Sequence, residues 1–499
     1  MNDSATQSSS AEAVRTPRVE GRPSMSKRQA LERLAQLEIE LNLWERQYRS
    51  TPLWLYGRLP CMNTLAGVTL HWRQHQIHFR GLVRRLVQGF RSIRHRFSGR
   101  TDMVVLNERH LSFDHHAGHE FHYIIDALRL PDGSYSLHEY PNYFSTRSCR
   151  TEYGNQYHLL DLWVLVKAGF VVAMQPLVRR RITRWFADLR RHFSPQDCRT
   201  IFTAISMGYA HLIFDDAMLR ILKRLNRSLR TVYTCMGFFT NSVDNSSGID
   251  VIEIQHGIIP PDHVMYVLPI NRYTRPFLRS KKMVLWDDKT RQMLVDHGYE
   301  QSNVTLLPRS RLKVYLQRNR AAVQRFLQHS RSDDKEVRLL VVSQGDQMTA
   351  RAISAFLDTL AAGTSDQTIT VQTTILLHPN QAKSPFDDWP EVLVEKNRGQ
   401  LYDLLLAADA VVGTYSTVLG EASDFHNFVI SLTDESRNCD YCVQWLIGDY
   451  EDKLVDRPRE AAGWLLAHLD QMMSRRGPRS DRLARLMKDV EQPNQPDET

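Results

Sequence analysis

Four short polar motifs follow apolar runs of the sequence, and each contains residue types that bind phosphate groups or sugar hydroxyls. In chain order, these motifs are His256-Gly257, Gln344-Gly345, His378-Pro379 and Ser416-Thr417. In an open parallel sheet, ligands bind just beyond the carboxyl ends of the strands. Because all four motifs occupy that position after a candidate strand, they predict a single binding cleft.

The fourth motif has the most direct physical interpretation. Ser416 and Thr417 stand where a strand turns into a helix, so their hydroxyls and backbone N–H groups would face an anion beside the positive helix end. Glu421, about one helical turn later, is suited to accept hydrogen bonds from ribose hydroxyls. The alternative is an ordinary helix N-cap followed by a charged surface residue.

Two further motifs are assigned to the same donor site. Pro379 restricts the backbone of His378, and a histidine at a strand end can donate to a phosphate oxygen and stabilise the charge of a departing phosphate. Gln344 and Gly345 are expected to bind the same donor. The alternative for His378 is a hydrogen-bonded histidine of the core.

His256 and Asp114 are the candidates for the base that removes a proton from an acceptor hydroxyl. A histidine in a cleft titrates near neutral pH, and Gly257 allows close approach of the backbone. The alternative for His256 is a structural histidine braced by Gln255. Asp114 begins the cluster DHHAGH (114–119), whose spacing matches no standard metal motif. This cluster indicates either an acceptor-binding loop or plain surface histidines.

The elements that must position these residues alternate between short apolar runs and helical periodicity from residue 101 onward. Candidate strands form two series, separated by a polar break near 330–335: 103–106, 231–235, 251–255, 282–286 and 304–307, then 337–343, 368–377, 391–395, 410–413 and 428–432. Buried strands alternating with helices predict parallel sheets covered on both faces. The fold class is therefore α/β, with two facing Rossmann-like domains and an N-terminal helical extension.

The extension has two parts. Residues 27–49 place leucines at helical spacing and predict a packing helix, with a dimerising coiled coil as the alternative. Residues 70–100 contain arginines among aromatic and aliphatic residues and no acidic residue. This pattern fits the surface of an anionic membrane, nucleic acid or the solvated face of a packed helix. We adopt the membrane as a partner and expect no nucleic acid.

Composition and charge limit the class of protein. The chain has 499 residues, 42% hydrophobic and 24% charged, and a formal net charge of +8. These values exclude collagen, coiled-coil rods and wholly disordered chains. The first residues lack an apolar signal segment, and the most apolar stretch (159–178) is short for a bilayer span. We expect a cytoplasmic protein, peripheral on the inner face of the plasma membrane if residues 70–100 bind it.

The predicted organisation has five parts: a disordered tail (1–26), a helical and basic amphipathic region (27–100), an N-terminal Rossmann-like acceptor domain (101–330), a C-terminal Rossmann-like nucleotide-donor domain (331–475), and a C-terminal helix and tail (476–499).

Four segments together carry a resemblance to a known family: EIQHGII (253–259), WDDKTRQMLVDHGYEQSNVTLLPRSR (286–311), LLHPNQ (376–381) and LYDLLLAADAVVGTYSTVLGEA (401–422). They resemble the GT-B glycosyltransferases of bacterial surface-polysaccharide synthesis. The similarity is strongest to capsule and lipopolysaccharide enzymes that use CMP-activated acidic sugars and to the CDP-glycerol glycerophosphotransferases. It runs from about 101 to 470, and it lacks the acidic pair followed by glycine that some sialyltransferase relatives use.

The resemblance implies a GT-B-like fold and transfer of a sugar from a CMP- or other nucleotide-activated donor to a polysaccharide or lipid-linked glycan acceptor. It implies donor-phosphate contacts from His378, Ser416 and Thr417, a ribose contact from Glu421, and an acceptor or leaving-group contact from His256. No Asp-x-Asp triplet occurs in the sequence. We therefore predict a metal-independent reaction with no cofactor besides the nucleotide-sugar co-substrate.

Two other functions remain as alternatives. A hydrolysing sugar-nucleotide 2-epimerase shares the two-domain fold, but it would need several carboxylates converging on the cleft. A non-catalytic GT-B-like scaffold of a polysaccharide assembly complex would bind no nucleotide.

Overall fold

A computed structural model describes most of the central chain. The described residues are 25, 27–67, 99–107, 111–114, 119–140, 157–159, 161–235, 239–242, 245–255, 257, 259–307, 311–321, 323, 336–343, 347–364, 369–377, 385–386, 393–395, 401–414, 417–423, 428–432 and 453–474.

Strands and helices within these ranges are numbered in chain order. The strands are β1 (Gln47–Tyr48), β2 (Thr51–Pro52), β3 (Asp102–Asn107), β4 (Leu111–Asp114), β5 (His119–His122), β6 (Tyr135–Tyr140), β7 (Tyr157–Leu159), β8 (Thr231–Thr234), β9 (Asp250–Ile254), β10 (Lys282–Leu285), β11 (Val304–Leu306), β12 (Glu336–Val342), β13 (Thr370–Leu376), β14 (Leu393–Glu395), β15 (Ala410–Gly413), β16 (Val429–Leu432) and β17 (Lys453–Asp456). The helices are α1 (Lys27–Glu40), α2 (Leu55–Leu65), α3 (Tyr123–Leu128), α4 (Asp161–Trp185), α5 (Pro195–Leu225), α6 (Arg275–Ser280), α7 (Asp288–Asp296), α8 (Arg311–Arg318), α9 (Gln347–Thr364), α10 (Leu401–Ala407), α11 (Thr417–Ser423), α12 (Pro458–Ala467) and α13 (Leu469–Ser474).

The first large sheet has seven strands in the order β7-β6-β3-β8-β9-β10-β11. All of its strand pairs are parallel. Numbered by their order along the chain, these strands run 3-2-1-4-5-6-7. The strand order therefore reverses between β3 and β8, which makes this position the topological switch point of the sheet.

The second large sheet has the order β14-β13-β12-β15-β16-β17, which is 3-2-1-4-5-6 along the chain. Its strand pairs are also parallel, and its switch point lies between β12 and β15. Two doubly wound parallel sheets confirm the predicted α/β fold class with two Rossmann-like domains.

Burial on both faces explains the continuous apolar runs of the central strands. In β3, Met103 and Val105 face one layer of helices while Val104 and Leu106 face the other, and all four side chains are buried. In β12, Val337, Leu339 and Val341 lie in one core, while Leu340 and Val342 lie in the other. A strand covered on both faces has no solvent-facing positions, so its sequence does not alternate between polar and apolar residues.

The helical extension shares a core with the first sheet. Leu34 and Leu37 of α1 are buried in a cluster that also contains Ile201 of α5, which confirms the packing-helix prediction for the start of this segment. Buried Glu38 accepts hydrogen bonds from Trp54 Nε1 at 2.8 Å and from Arg58 Nε at 2.6 Å. A buried carboxylate needs such partners because an unpaired one is costly to desolvate.

Helix α8 connects the two sheets through its side chains. Val314 lies in the core of the first sheet, while Leu316 lies in a core of the second. Arg318 Nε also donates to Asp126 Oδ2 of α3 at 2.5 Å. One helix thus packs into both domains.

The structure addresses a membrane-spanning helix but not the predicted membrane contact of residues 70–100. No helix of the described ranges is long and apolar enough to cross a membrane. The basic segment 70–100 lies outside the described residues except for Gly99 and Arg100, so its predicted membrane contact stays a prediction.

Candidate functional site

The candidate site begins at the switch point of the second sheet. Ser343 directly follows β12, and its backbone N–H donates to Leu376 O of β13 at 3.0 Å. The side chain is only 1% exposed, and its Oγ makes no hydrogen bond within the described part of the chain. A buried hydroxyl without a partner is rare in proteins, so Ser343 presents an unused donor at the strand end.

Two threonine hydroxyls meet at the same edge. Thr349 lies in the first turn of α9, Thr414 directly follows β15, and their Oγ1 atoms are 3.3 Å apart. Both side chains are buried. Ser431 Oγ donates to the Thr414 carbonyl at 3.1 Å and so fixes the turn after β15. The positive end of α9, an 18-residue helix, therefore lies beside a hydroxyl-bearing strand end.

Gly413 allows β15 to lie close to both β12 and α11. A Cβ atom at this position would lie 3.2 Å from Val342 O and 3.3 Å from Leu419 Cδ2. A larger residue would require Val342 O or Leu419 to move by a few tenths of an ångström. The glycine therefore allows close packing at the switch point.

Glu421 of α11 is half-buried and already has a protein partner. Its Oε2 accepts a hydrogen bond from the Tyr402 hydroxyl, and the Tyr402 ring stacks on Tyr315 with 4.8 Å between centroids. The Tyr315 hydroxyl in turn donates to Asp403 Oδ1. These contacts fix the position of the Glu421 carboxylate from the side of α8 and α10, and its predicted ribose contact stays a prediction.

In the first sheet, Gln255 positions the backbone on either side of residue 256. Its Oε1 accepts from Trp286 N–H at 2.8 Å, and its Nε2 donates to Gly257 O at 3.0 Å. Gln255 is fully buried. A Cβ atom at Gly257 would meet no atom within 4 Å, so the protein's own packing does not require this glycine.

Beside Gln255, β9 carries a buried carboxylate, Glu253, which forms an ion pair with the buried Lys281 ammonium. The Tyr266 hydroxyl donates to Glu253 Oε1 at 2.6 Å, and Tyr299 donates to Tyr266 O at 3.0 Å. Burial first, and the Glu253 carboxylate second, raise the pKa of Tyr266 well above its usual value. The Tyr266 phenol therefore stays neutral and remains a hydrogen-bond donor. The charge of the Glu253 carboxylate is balanced by Lys281.

Asp114 lies in the β4–β5 hairpin, which follows β3 near the switch point of the first sheet. The antiparallel register pairs Asp114 with His119 and Leu111 with His122. At the hairpin base, buried His122 has its Nε2 atom 3.8 Å from Glu139 Oε2 of β6. The backbone thus places two members of the DHHAGH cluster opposite each other, and the base role of Asp114 stays a prediction.

Of the other predicted site residues, only Thr417 lies within the described ranges. Thr417 begins α11, as expected for a strand-to-helix turn. The remaining six, His256, Gln344, Gly345, His378, Pro379 and Ser416, lie outside the described residues. Their roles stay predictions.

Sequence reasoning did not single out Ser343, Thr349 or Tyr402 as site residues. Ser343 and Thr349 flank the predicted Gln344-Gly345 motif, so their position after a strand and at a helix start was an available signal. The Tyr402 contact had no such signal, because a stacked tyrosine at the start of a helix looks like ordinary packing. Within the described ranges, no group of three or more His, Cys, Asp or Glu is arranged to hold a metal ion.

The fold and the site define an α/β protein with two Rossmann-like domains and a hydroxyl-lined switch point in the second.

No protein family and no curated protein matches the sequence. Among solved structures, the wall teichoic acid polymerase TagF has a TM-score of 0.40 and 13% identity, over 83% of this chain and 97% of that chain. UDP-GlcNAc 2-epimerase from Methanocaldococcus jannaschii has a TM-score of 0.40 and 13% identity, over 78% and 99%. Alpha,alpha-trehalose 6-phosphate synthase from Burkholderia multivorans has a TM-score of 0.44 and 13% identity, over 79% and 94%.

Proposed function

We propose that the protein is a GT-B glycosyltransferase that moves a sugar from a nucleotide-activated donor to a polysaccharide or lipid-linked glycan acceptor. The observation that carries this proposal is the convergence of Ser343, Thr349 and Thr414 at the switch point of a 3-2-1-4-5-6 sheet. Ligands of doubly wound sheets bind at this position. The segments that resemble GT-B enzymes of surface-polysaccharide synthesis supply the finer assignment of substrates.

The donor phosphate is assigned to the edge between β12 and β15. The start of α9 presents the positive end of the helix dipole, which favours an anion. Ser343 contributes a buried hydroxyl whose hydrogen-bonding capacity is unused. His378, Gln344, Gly345, Ser416 and Thr417 are proposed to complete the phosphate contacts, with Glu421 on the ribose.

The acceptor is assigned to the carboxyl edge of the first sheet. In the proposed reaction, the acceptor hydroxyl oxygen forms a bond to the anomeric carbon, and its proton passes to His256, or to Asp114 as the second candidate. The bond between the anomeric carbon and the donor phosphate oxygen breaks, and the electron pair leaves with the nucleotide. Hydrogen bonds from His378 and the hydroxyls of Ser416 and Thr417 stabilise that departing charge.

Saturation-transfer NMR with CMP, CDP, UDP and GDP tests the proposal directly. We expect binding of a cytidine nucleotide, weakened in the Thr414→Val variant and unchanged in the matched Thr359→Val variant, which alters a helix position away from the site. Binding of none of the four nucleotides would contradict the proposal and favour a scaffold. Binding of UDP alone, with interconversion of UDP-sugars, would favour an epimerase.

The metal requirement needs a separate measurement. Hydrolysis or transfer of the bound nucleotide sugar should continue in excess EDTA, because the proposed phosphate contacts are all side-chain or backbone donors. Complete loss of turnover on chelation, restored by Mg²⁺ or Mn²⁺, would contradict the metal-independent mechanism.

A further inference from the structure

Helix α4 exposes a continuous apolar face. Val166, Val172 and Leu177 are 47%, 70% and 66% exposed, although side chains of this type are usually buried. The remaining exposed residues of the same stretch are small or apolar: Ala168, Gly169, Ala173 and Pro176. From Val166 to Leu177 this face extends for about 16 Å along the helix.

The opposite face of α4 packs against the rest of the first domain. Val164, Val171, Val178 and Ile182 are buried, and α4 packs along α5. Lys167, the one charged residue in the apolar stretch, is buried and donates to Asp215 Oδ1 of α5 at 2.7 Å. The apolar part of the exposed face therefore carries no charged side chain. The side chains that α4 contributes to the core lie on its other side.

Arginines continue the same face at the end of α4. Val166, Gly169, Ala173, Leu177, Arg180 and Arg184 follow one another at intervals of three or four residues, so they share one side of the helix. Arg180 and Arg184 are exposed. Exposed Arg181 lies over the Trp185 ring, with 4.2 Å between its Cζ atom and the ring centroid. The face therefore combines an apolar half with a basic half, while Trp185 itself packs against the core.

The charge of the face indicates its partner. Residues 162–187 contain four arginines and one lysine but no Asp or Glu, and none of the described acidic residues forms an ion pair with Arg180 or Arg184. An apolar helical face bordered by exposed arginines fits a surface that is apolar inside and anionic outside. That is the surface of a bilayer with anionic headgroups, in which such helices lie flat at the boundary between headgroups and acyl chains.

We propose that the exposed face of α4, from Val166 to Arg184, binds the surface of an anionic phospholipid bilayer. Val172 and Leu177 lie at the two edges of the exposed arc, about 140° apart around the helix. Both side chains enter the acyl boundary while Arg180 and Arg184 contact the phosphates. This contact does not depend on nucleotide binding or on glycosyl transfer. It is also separate from the predicted membrane contact of residues 70–100.

Vesicle co-sedimentation of the full chain tests this proposal. The wild-type protein should bind vesicles made of equal parts phosphatidylglycerol and phosphatidylcholine at low salt, and it should bind pure phosphatidylcholine vesicles far more weakly. Substituting both Val172→Ser and Leu177→Ser should weaken binding by roughly ten-fold for each side chain. Substituting both Arg180→Ser and Arg184→Ser should weaken it by roughly five-fold for each arginine, and the effect should shrink as salt rises.

Matched controls come from other exposed residues. The pair Ile39→Ser and Ile270→Ser removes two exposed apolar side chains (78% and 49% exposed) on other elements. The pair Arg351→Ser and Arg459→Ser removes two exposed arginines of the second domain. Both control variants should bind vesicles like the wild type. If the double apolar variant fails to fold, Leu177→Ser alone should give the ten-fold loss.

Three results would overturn the proposal. The first is a wild-type protein that does not sediment with anionic vesicles at low salt. The second is that the α4 variants bind vesicles as tightly as the wild-type protein, which would assign the membrane contact to another surface. The third is a dimer in sedimentation velocity that becomes a monomer in the Val172→Ser, Leu177→Ser variant without any change in vesicle binding. In that case the face would bind a second copy of the chain.

Discussion

The hydroxyl of Tyr402 donates a hydrogen bond to the carboxylate of Glu421, joining the first turn of α10 to α11 beside the switch point of the second sheet. Tyr402 is buried, and its ring is stacked on Tyr315 of the helix that packs into both domains. The position of Glu421 therefore depends on the packing between α8 and α10. A residue proposed to bind the donor ribose is thus coupled to the helix that connects the two domains.

The Tyr402→Phe variant tests this coupling. It keeps the stacked ring and removes the hydroxyl, so the free energy of unfolding should fall by about 1–3 kcal/mol, as for a hydrogen bond to a charged group. If Glu421 binds the ribose, the donor KM should rise several-fold while kcat changes little. The control is Tyr48→Phe, which removes a tyrosine hydroxyl bonded to the Asp216 carboxylate in the first domain and should leave the donor KM unchanged. Equal donor KM values in Tyr402→Phe and the wild type would separate Tyr402 from donor binding.

Ser343→Ala should affect ligand binding and stability in opposite directions. Its Oγ is buried and makes no hydrogen bond to the described residues, so removing it should leave the melting temperature unchanged or higher. The same change should weaken nucleotide binding by roughly ten-fold, because a hydrogen bond to a charged phosphate contributes about 1.5–3 kcal/mol. Isothermal titration with the best-bound nucleotide and thermal melting measure the two effects. A lower melting temperature with unchanged nucleotide affinity would make Ser343 a structural residue.

His378→Ala tests the leaving-group role predicted from sequence. Removing one donor that stabilises developing charge typically lowers turnover by about 10²–10³-fold. Turnover should fall by this amount while the nucleotide dissociation constant changes less, since the charge is greatest as the bond breaks. His468→Ala is a suitable control, because His468 lies at the end of α12 and bonds to Trp464 O. A fully active His378→Ala enzyme would remove this residue from the mechanism.

His211 should make the stability of the first domain depend on pH. Burial, with a smaller contribution from the Lys167 ammonium, lowers the pKa of His211 to about 4. The unfolded state, with a histidine pKa near 6.5, binds the proton more readily. The stabilisation is therefore complete above about pH 6.5 and is lost as pH falls toward 4, by at most about 3 kcal/mol.

Urea unfolding at pH 7 and pH 4.5 measures this effect. The midpoint of the wild-type protein should fall more between these two pH values than that of His211→Gln, which has no titrating ring. The His297→Gln variant serves as the control, since the His297 ring Nδ1 already has a partner in Met293 O and lies on another helix. An identical decrease in midpoint for wild type and His211→Gln would show that His211 does not govern acid stability.

The sequence alone was sufficient to predict the fold class. The ten candidate strands overlap with β3 and with β8 to β16. Strands buried on both faces, such as β3 and β15, appear as uninterrupted apolar runs. It did not predict β6, whose Ser136, His138 and Glu139 are polar yet buried. It also missed the β4–β5 hairpin, where histidines mask any alternating pattern, and β17 at the edge of the second sheet.

Only the tertiary structure decided which residues meet. Thr349 and Thr414 are 65 residues apart in the chain, and their contact depends on β12 and β15 being neighbours at the switch point. Strand order follows from long-range packing, which no local pattern encodes. The same holds for α4: its composition alone suggests a buried helix, and its burial against α5 on one side decides that Val172 and Leu177 remain at the surface. Residue type set the chemistry available at each position, and packing between distant segments determined where that chemistry is exposed.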